Sequence, residues 1–317
     1  MNLNQFTKIS GDASFRKFYR KKNKKKSIIV FSRKQKKKNL VIYSAINQLL
    51  IKKKINAPKL LYHNYKKNYI EIQDLGNRTI LEILKNKKIN KIKYYNKIIL
   101  LLKKFQKINS KKIKTFQNSS YKIPLYSNKM LFNETKLFLD WYIPIIIKKN
   151  KIRQLNIKLA YIFKKLLKNL KCREKIFVHR DFHVSNLMQC NKDIYMIDTQ
   201  DAVYGNIAYD LASLIDDVRL KTTNKDKEII YKKFINIHKI KNLQNFKNDF
   251  EILSVLRNLK IIGIFQRLYS RDKKEKYLKF IPYAWTLIEY RIKKNKNLLE
   301  LKNILDKYFL KKIKFRK

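Results

Sequence analysis

Glycine and proline are scarce in this 317-residue chain, four of each, and it has only two cysteines and two tryptophans. Collagen-like and Gly/Pro-rich linker architectures are excluded by that count. The cysteines, Cys172 and Cys190, form no CxxC pair and sit in no Cys/His cluster at zinc spacing, so neither a disulfide framework nor a zinc site is expected. The opening stretch "MNLNQFTKISGDASF" has no apolar core of a secretory signal, and no uncharged apolar run reaches the roughly eighteen residues that span a bilayer. A cytoplasmic protein with no membrane partner is therefore expected, and the sequons at Asn77, Asn118 and Asn133 carry no meaning there.

Acidic residues are also few: 23 against 77 lysines and arginines, a formal net charge of +54. Such a balance can mark a nucleic-acid partner when it forms one face or tail. Here the lysines run from "KKNKKK" near the start to "KKIKFRK" at the end, and no groove-reading motif accompanies them. The abundant residue types, Lys, Asn, Ile, Tyr and Phe, are those with A/T-rich codons, so base composition accounts for much of the excess. No dedicated nucleic-acid partner is expected, and oligomeric state is not legible.

What is present falls into two textures. Residues 1–76 alternate short β-like runs, "FRKFYR", "SIIVFS", "KLLYH" and "NYIEIQDLG", with one helical pattern at about 38–54. Residues 77–317 are dominated by helical periodicity, at about 79–86, 89–108, 127–149, 154–170, 207–219, 224–238, 246–270 and a broken 277–312. The expected fold class is α+β: a small antiparallel N-lobe with one helix over 1–76, a hinge at "DLGN", and a larger helical C-lobe over 77–317. Within the C-lobe, "KIFVH" and "DIYMID" read as short strands that deliver polar residues at their ends.

Those strand ends carry the chemistry. In "HRDFHVSN", Asp181 precedes Asn186 by five residues, and Asp198 ends the next strand-like run. Phosphoryl transfer from a nucleotide needs such a set: a carboxylate to orient and deprotonate the attacking hydroxyl, and two hard oxygen ligands for Mg²⁺ on the phosphates. Asp181 is the candidate catalytic base, and Asn186 and Asp198 are the candidate metal ligands. His179 reads as a buried brace for the loop. His183 either faces substrate or supports the loop, and Asp201 is either a metal-site residue or an acceptor for a substrate hydroxyl. Asp210 starts a helix and reads as loop support. Asp210 follows Asp198 by only twelve positions, too few for the activation loop of a protein kinase. Trp141 and Tyr142 read as helix core, with the floor of a sugar pocket as the alternative.

The chain resembles the kinase-like phosphotransferases, the superfamily of aminoglycoside and choline kinases, and more narrowly the bacterial N-acetylmuramate/N-acetylglucosamine anomeric kinases of cell-wall recycling. The narrower resemblance rests on "SGDASFRKFYR" (10–20), "IQDLGNRT" (72–79), "VHRDFHVSNLM" with "IDTQDAVYGNIAYDLASLIDD", and "LKIIGIFQRLYSRDKKEKYL" (259–278). It implies ATP and Mg²⁺ as cofactors and a small sugar or amino-alcohol acceptor. It further implies a hairpin over the phosphates with Ser14 and Arg16, helped by a tight turn at Gly11, and an adenine edge paired with backbone at Gln73, Asp74 and Leu75. Apart from the resemblance, Arg257, Arg267 and Arg271 fall on or just after a long C-lobe helix, with Arg267 the candidate for substrate or loop support and solvated or structural arginine as the alternative. The expected activity is phosphorylation of the anomeric hydroxyl of N-acetylmuramic acid or N-acetylglucosamine. An amino-alcohol or aminoglycoside kinase is the alternative enzyme, and a degenerate kinase-like binding module is the non-enzyme alternative.

Four departures from the family pattern stand out. Thr199 replaces an aromatic residue in "IDTQDA", Val184 and Ser185 replace a Ser-Arg pair in the catalytic loop, and Asp216 stands where "LLRD" carries arginine. No strand lysine paired with a helix glutamate is present, because "KNLVIYSAINQLLIKKKI" has no acidic residue. Arg16 is expected to do the phosphate work instead, with Arg33 or Lys34 as substitutes.

Overall fold

The computed structural model describes residues 6–9, 16–21, 27–33, 37–86 and 88–315. Ser14, Gly11 and Lys34 lie outside the described residues.

Strict alternation makes β5 (Tyr69–Gln73) a half-buried strand: Ile70 and Ile72 turn inward while Tyr69, Glu71 and Gln73 stay part-exposed. It belongs to a five-stranded antiparallel sheet with β1 (Phe6–Ile9), β2 (Lys17–Lys21), β3 (Ser27–Phe31) and β4 (Leu60–Asn64), in the order β1-β2-β3-β5-β4. α1 (Lys37–Lys52) covers one face, and Val30, Leu40, Val41, Tyr43, Tyr65, Ile70 and Ile72 form the core between helix and sheet. The α+β architecture expected from the sequence is the one observed. β1 was not expected; its four residues, FTKI, are too short to show a period.

After β5 the chain turns at Gly76, whose φ of +82° suits a residue without Cβ. Thr79 then starts α2 (Ile80–Lys85) with a reciprocal cap: its hydroxyl accepts from the Glu82 N–H at 3.1 Å, and the Glu82 carboxylate accepts from the Thr79 N–H at 2.8 Å. α3 (Lys91–Gln106) and a small hairpin of β6 (Lys112–Lys114) and β7 (Ser120–Lys122) follow. Further along, β8 (Lys175–Val178) precedes the candidate catalytic turn, and β9 (Leu187–Cys190) pairs with β10 (Asp193–Met196) as an antiparallel hairpin.

By packing, the chain forms two units, residues 1–124 with 176–204, and residues 125–175 with 205–317. The second unit is helical. α4 (Asn128–Leu137) is capped by Ser127 and runs through a π turn at Phe138–Tyr142 into α5 (Ile143–Ile146), where the sequence pattern suggests one unbroken helix. α6 (Lys149–Lys168) and, after β11 (Val203–Asn206), α7 (Tyr209–Ile215) and α8 (Asn224–His238) lead to α9 (Leu243–Asp272), a 30-residue helix buried on every side through its middle. The π turn lies where α9 comes closest: a Cβ on Gly263 would fall 2.5 Å from the Phe138 backbone nitrogen, so only glycine fits. Tyr142 is core, packed with Phe138, Trp285 and Phe309, and Trp141 is half-buried. α10 (Ile281–Ile292), α11 (Leu299–Tyr308) and α12 (Lys311–Lys314) complete the described chain. Among the described residues no helix is long and apolar enough to cross a membrane, and both cysteines are free thiols.

Candidate active site

The turn after β8 is built by its own backbone. The His183 N–H donates to the Asp181 carbonyl at 3.0 Å, the Asn186 N–H to the His183 carbonyl at 2.9 Å, and the Asn186 side-chain amide returns to the Asp181 carbonyl at 2.9 Å. Phe182 and Val184, fully buried, anchor the turn from below. Arg180 takes a left-handed φ of +74°, which turns the chain out of the strand. Asp181 and Asn186 are thus held on one short loop.

Asp198 is tied to the same loop. The Ile197 N–H donates to the Asn186 carbonyl at 3.0 Å, and buried His179 donates from Nε2 to the Ile197 carbonyl at 3.0 Å. Asp198 follows with φ +64°, a left-handed conformation that aspartate tolerates better than most residues. The β9–β10 hairpin fixes this assembly to the hinge region: Gln189 N–H donates to the Arg78 carbonyl and Met196 N–H to the Asn56 carbonyl, both at 2.9 Å.

Asp198 does not stand alone. The Arg16 guanidinium pairs with its Oδ1 and donates to Gln200 Oε1 at 2.9 Å. The Gln200 amide in turn donates to Asp198 Oδ1 at 3.1 Å and to Asp201 Oδ2 at 2.8 Å. Arg16 is buried against the rings of Tyr43 and Phe18, 5.6 and 5.7 Å from their centroids. Burial pushes the Tyr43 phenol up, which keeps it neutral beside the ion pair. One helical turn on, Asn47 donates to the Pro58 carbonyl at 3.2 Å and accepts from the Thr199 hydroxyl at 2.7 Å. Thr199, the residue in place of an aromatic, therefore joins the strand end to α1.

At the hinge, the Gln73 N–H is taken by the Lys59 carbonyl at 2.9 Å, whereas no backbone hydrogen bond among the described residues uses the Leu75 N–H. Asp74 is held by Arg20, whose Nη2 donates to Oδ1 at 2.9 Å, and it accepts from the Gly76 N–H at 2.8 Å. Its side chain is committed to the hinge itself.

Among the described residues no three His, Cys, Asp or Glu side chains are gathered as a ready-made cation cage. Asp198 and Asn186 instead offer two hard oxygens on one framework, and Asn186 Oδ1 has no donor among the described residues. That suits Mg²⁺, which takes one or two protein oxygens and fills its shell with phosphate and water. A cation already lies on Asp198, the Arg16 guanidinium, which shows the carboxylate placed to hold positive charge.

Of the remaining candidates, His183 is buried with Nδ1 2.9 Å from the Ser185 hydroxyl. Asp201 is half-exposed, and its backbone carbonyl accepts from Arg180 at 3.3 Å. Asp210, fully buried in the first turn of α7, and Arg267, half-buried on α9, belong to the second unit. Sequence reasoning missed Gln200, Tyr43 and Asn47. The usable signal was an uncharged Tyr-x-x-x-Asn on the buried face of α1, where a helix otherwise needs only apolar residues.

The Phosphotransferase enzyme family model matches residues 5–229. The N-acetylmuramate/N-acetylglucosamine kinase of Pseudomonas aeruginosa is 24% identical over 302 residues, covering 93% of this chain and 86% of the relative. The Neisseria meningitidis protein of the same description is 29% identical, covering 87% and 82%. In fold, the chain is similar to a choline/ethanolamine kinase family protein from Mesorhizobium loti, at TM-score 0.64, 8% identity, and coverage of 94% and 92%. It is likewise similar to aminoglycoside 2'-phosphotransferase-IIIa solved with GDP, at TM-score 0.61, 12% identity, and coverage of 93% and 92%.

Proposed function

The chain belongs to the Phosphotransferase enzyme family, and from that premise we propose that it transfers the γ-phosphoryl group of ATP to the anomeric hydroxyl of N-acetylmuramic acid or N-acetylglucosamine, giving a sugar 1-phosphate. The observation that carries the reading is the joining of Asp181, Asn186 and Asp198 by one set of backbone hydrogen bonds.

Asp181 accepts the proton of the acceptor hydroxyl as its oxygen bonds to the γ-phosphorus and the bond to the bridging oxygen of ADP breaks. Asn186 and Asp198 would hold Mg²⁺, which supplies charge neutralisation on the phosphates. Arg16 exchanges its contact with Asp198 for the phosphates, aided by Ser14 and the hairpin. The hinge backbone at Gln73, Asp74 and Leu75 takes the adenine edge, with the unused Leu75 N–H as donor. Residues 1–76 then act as the nucleotide-covering lobe, and 77–317 supply the catalytic turn and acceptor pocket. His179 positions the turn, and Asp201 and His183 support it. Two things favour a sugar over a cationic acceptor: the relatives described as sugar kinases, and the scarcity of carboxylates from which to build an acidic pocket.

The test is ADP release with MgATP and a panel of N-acetylmuramic acid, N-acetylglucosamine, choline, ethanolamine and kanamycin. Turnover on the two sugars with a 1-phosphate product is expected. Turnover on choline, ethanolamine or kanamycin alone would replace the acceptor, and release with none would favour a binding module.

A further inference from the structure

One face of α9 carries cations that the described residues leave unbalanced. At about 100° per residue, Arg257, Lys260, Ile264, Arg267 and Arg271 fall within about 80° of helix surface. Burial rises along this row from exposed Arg271 through half-buried Arg267 and Ile264 to Lys260 and Arg257, 8% and 4% exposed. The row therefore runs from solvent into the interior of the second unit. Lys260 is answered by Glu134 at 2.6 Å and Arg271 by Asp272 at 2.8 Å. Arg257 and Arg267 are not: Nη1 of the first and Nε of the second are buried with no acceptor, and neither guanidinium has an ion-pair partner among the described residues. Burial pushes the Arg267 guanidinium down, and Arg271 adds to it, but arginine stays charged in proteins. A buried fixed charge at Arg257 with no ion-pair partner, beside a half-buried one at Arg267 on which Asp272 acts only from beyond ion-pair contact, is costly unless an anion completes the pair, and the guanidinium fork matches a carboxylate in two parallel hydrogen bonds.

We propose that this row is a carboxylate-recognition site centred on Arg257 and Arg267, and that it takes the lactyl carboxylate of N-acetylmuramic acid, a group N-acetylglucosamine lacks. The identity of the sugar rests on the proposed function; the anion site itself does not. Binding is measured calorimetrically, without nucleotide, for wild type, Arg257→Met and Arg267→Gln, against N-acetylmuramic acid, N-acetylglucosamine and inorganic phosphate. Wild type is expected to prefer the acidic sugar by about tenfold or more, with the preference reduced in each variant. Arg257→Met should keep or raise the ligand-free Tm, because it removes an unanswered buried charge, whereas a merely structural arginine would lower Tm and leave the sugar preference intact. If Arg257→Met fails to fold, half-buried Arg267→Gln still decides the point. Equal wild-type affinity for the two sugars, or a preference that survives both substitutions, overturns the site. Phosphate bound as tightly as the acidic sugar through Arg257 overturns its assignment to carboxylate. ADP release on both sugars with no arginine dependence leaves the kinase and removes the site. Arginine-dependent binding with no ADP release leaves the site and removes the kinase.

Discussion

Replacing Asp216 by asparagine tests the buried charge network that this residue forms with Arg291, Lys227 and Ser254. Asp216 is fully buried and accepts from Arg291 Nε and Nη2 at 2.8 and 3.1 Å, Lys227 Nζ at 2.9 Å and Ser254 Oγ at 2.6 Å. Burial pushes its carboxyl up, but Arg291 and Lys227 together push it further the other way, so it ends well below the usual carboxylate range. Asparagine keeps the shape and removes the charge, leaving two buried cations facing each other. Breaking a buried pair from one side costs about 3–5 kcal/mol. At about 2–4 °C per kcal/mol, Tm should fall by roughly 6–20 °C. The pH dependence has a definite sign. A depressed folded-state pKa gives stability that is fully present above the unfolded value, about 3.9, and is lost as pH falls below it. The gap between wild type and Asp216→Asn should therefore be flat from pH 7 to about 5 and close only in stronger acid. Thermal and urea unfolding followed by circular dichroism at several pH values read both quantities. Adding Lys227→Met to the variant should recover part of the loss, since one stranded cation goes with it. A loss under about 1 kcal/mol at pH 7, or a gap that widens in acid, would refute the charge-network account.

Three further outcomes are expected. Asp181→Asn should lower turnover by about 10²–10⁴-fold and leave nucleotide affinity nearly unchanged, because a base acts on the acceptor; turnover within tenfold of wild type removes Asp181 from the mechanism. Asp198→Ala should abolish the Mg²⁺ dependence of ADP binding seen by calorimetry, and a wild-type protein whose nucleotide affinity ignores Mg²⁺ would sink the metal assignment. Gly263→Ala should cost about 1–3 kcal/mol in thermal unfolding, because the new methyl meets the Leu137–Phe138 backbone rather than a movable side chain; an unchanged Tm would mean that the π turn relaxes freely.

Where sequence carried a local rule, it was legible. The alternation in YIEIQ marked β5, and the helical pattern at about 79–86 marked α2 before any packing is considered. Asp181, Asn186 and Asp198 could be proposed from sequence because phosphoryl transfer limits which side chains can serve at that spacing, and the structure brings them onto one hydrogen-bonded framework while their roles stand as proposals. What stayed hidden depended on partners distant in sequence. Gln200 matters because it meets Arg16, 184 residues away, and Asn47 because it meets Thr199, 152 residues away. The π turn escaped for the same reason: the 127–149 pattern is helical throughout, and the widened turn answers to Gly263 on another helix.

The two units are interleaved along the chain, and this has a consequence for how the protein is made. Residues 176–204 complete the unit that 1–124 begin, so Arg16 must wait for Asp198, 182 residues later, to leave the ribosome. Meanwhile α6 is synthesised with Leu155, Leu159, Phe163 and Leu166 on one face, and much of its unit, residues 205–317, has yet to be translated. The first unit cannot close before residue 204 is made and the second not before the C-terminal helices are, so the apolar face of α6 stands open through the rest of translation. Folding should be late and dominated by long-range contacts, the regime in which nascent chains depend most on chaperones. A chain stopped just after Tyr204 would have every residue of the unit that carries the candidate catalytic turn, together with a helix that has lost the partners it folds against.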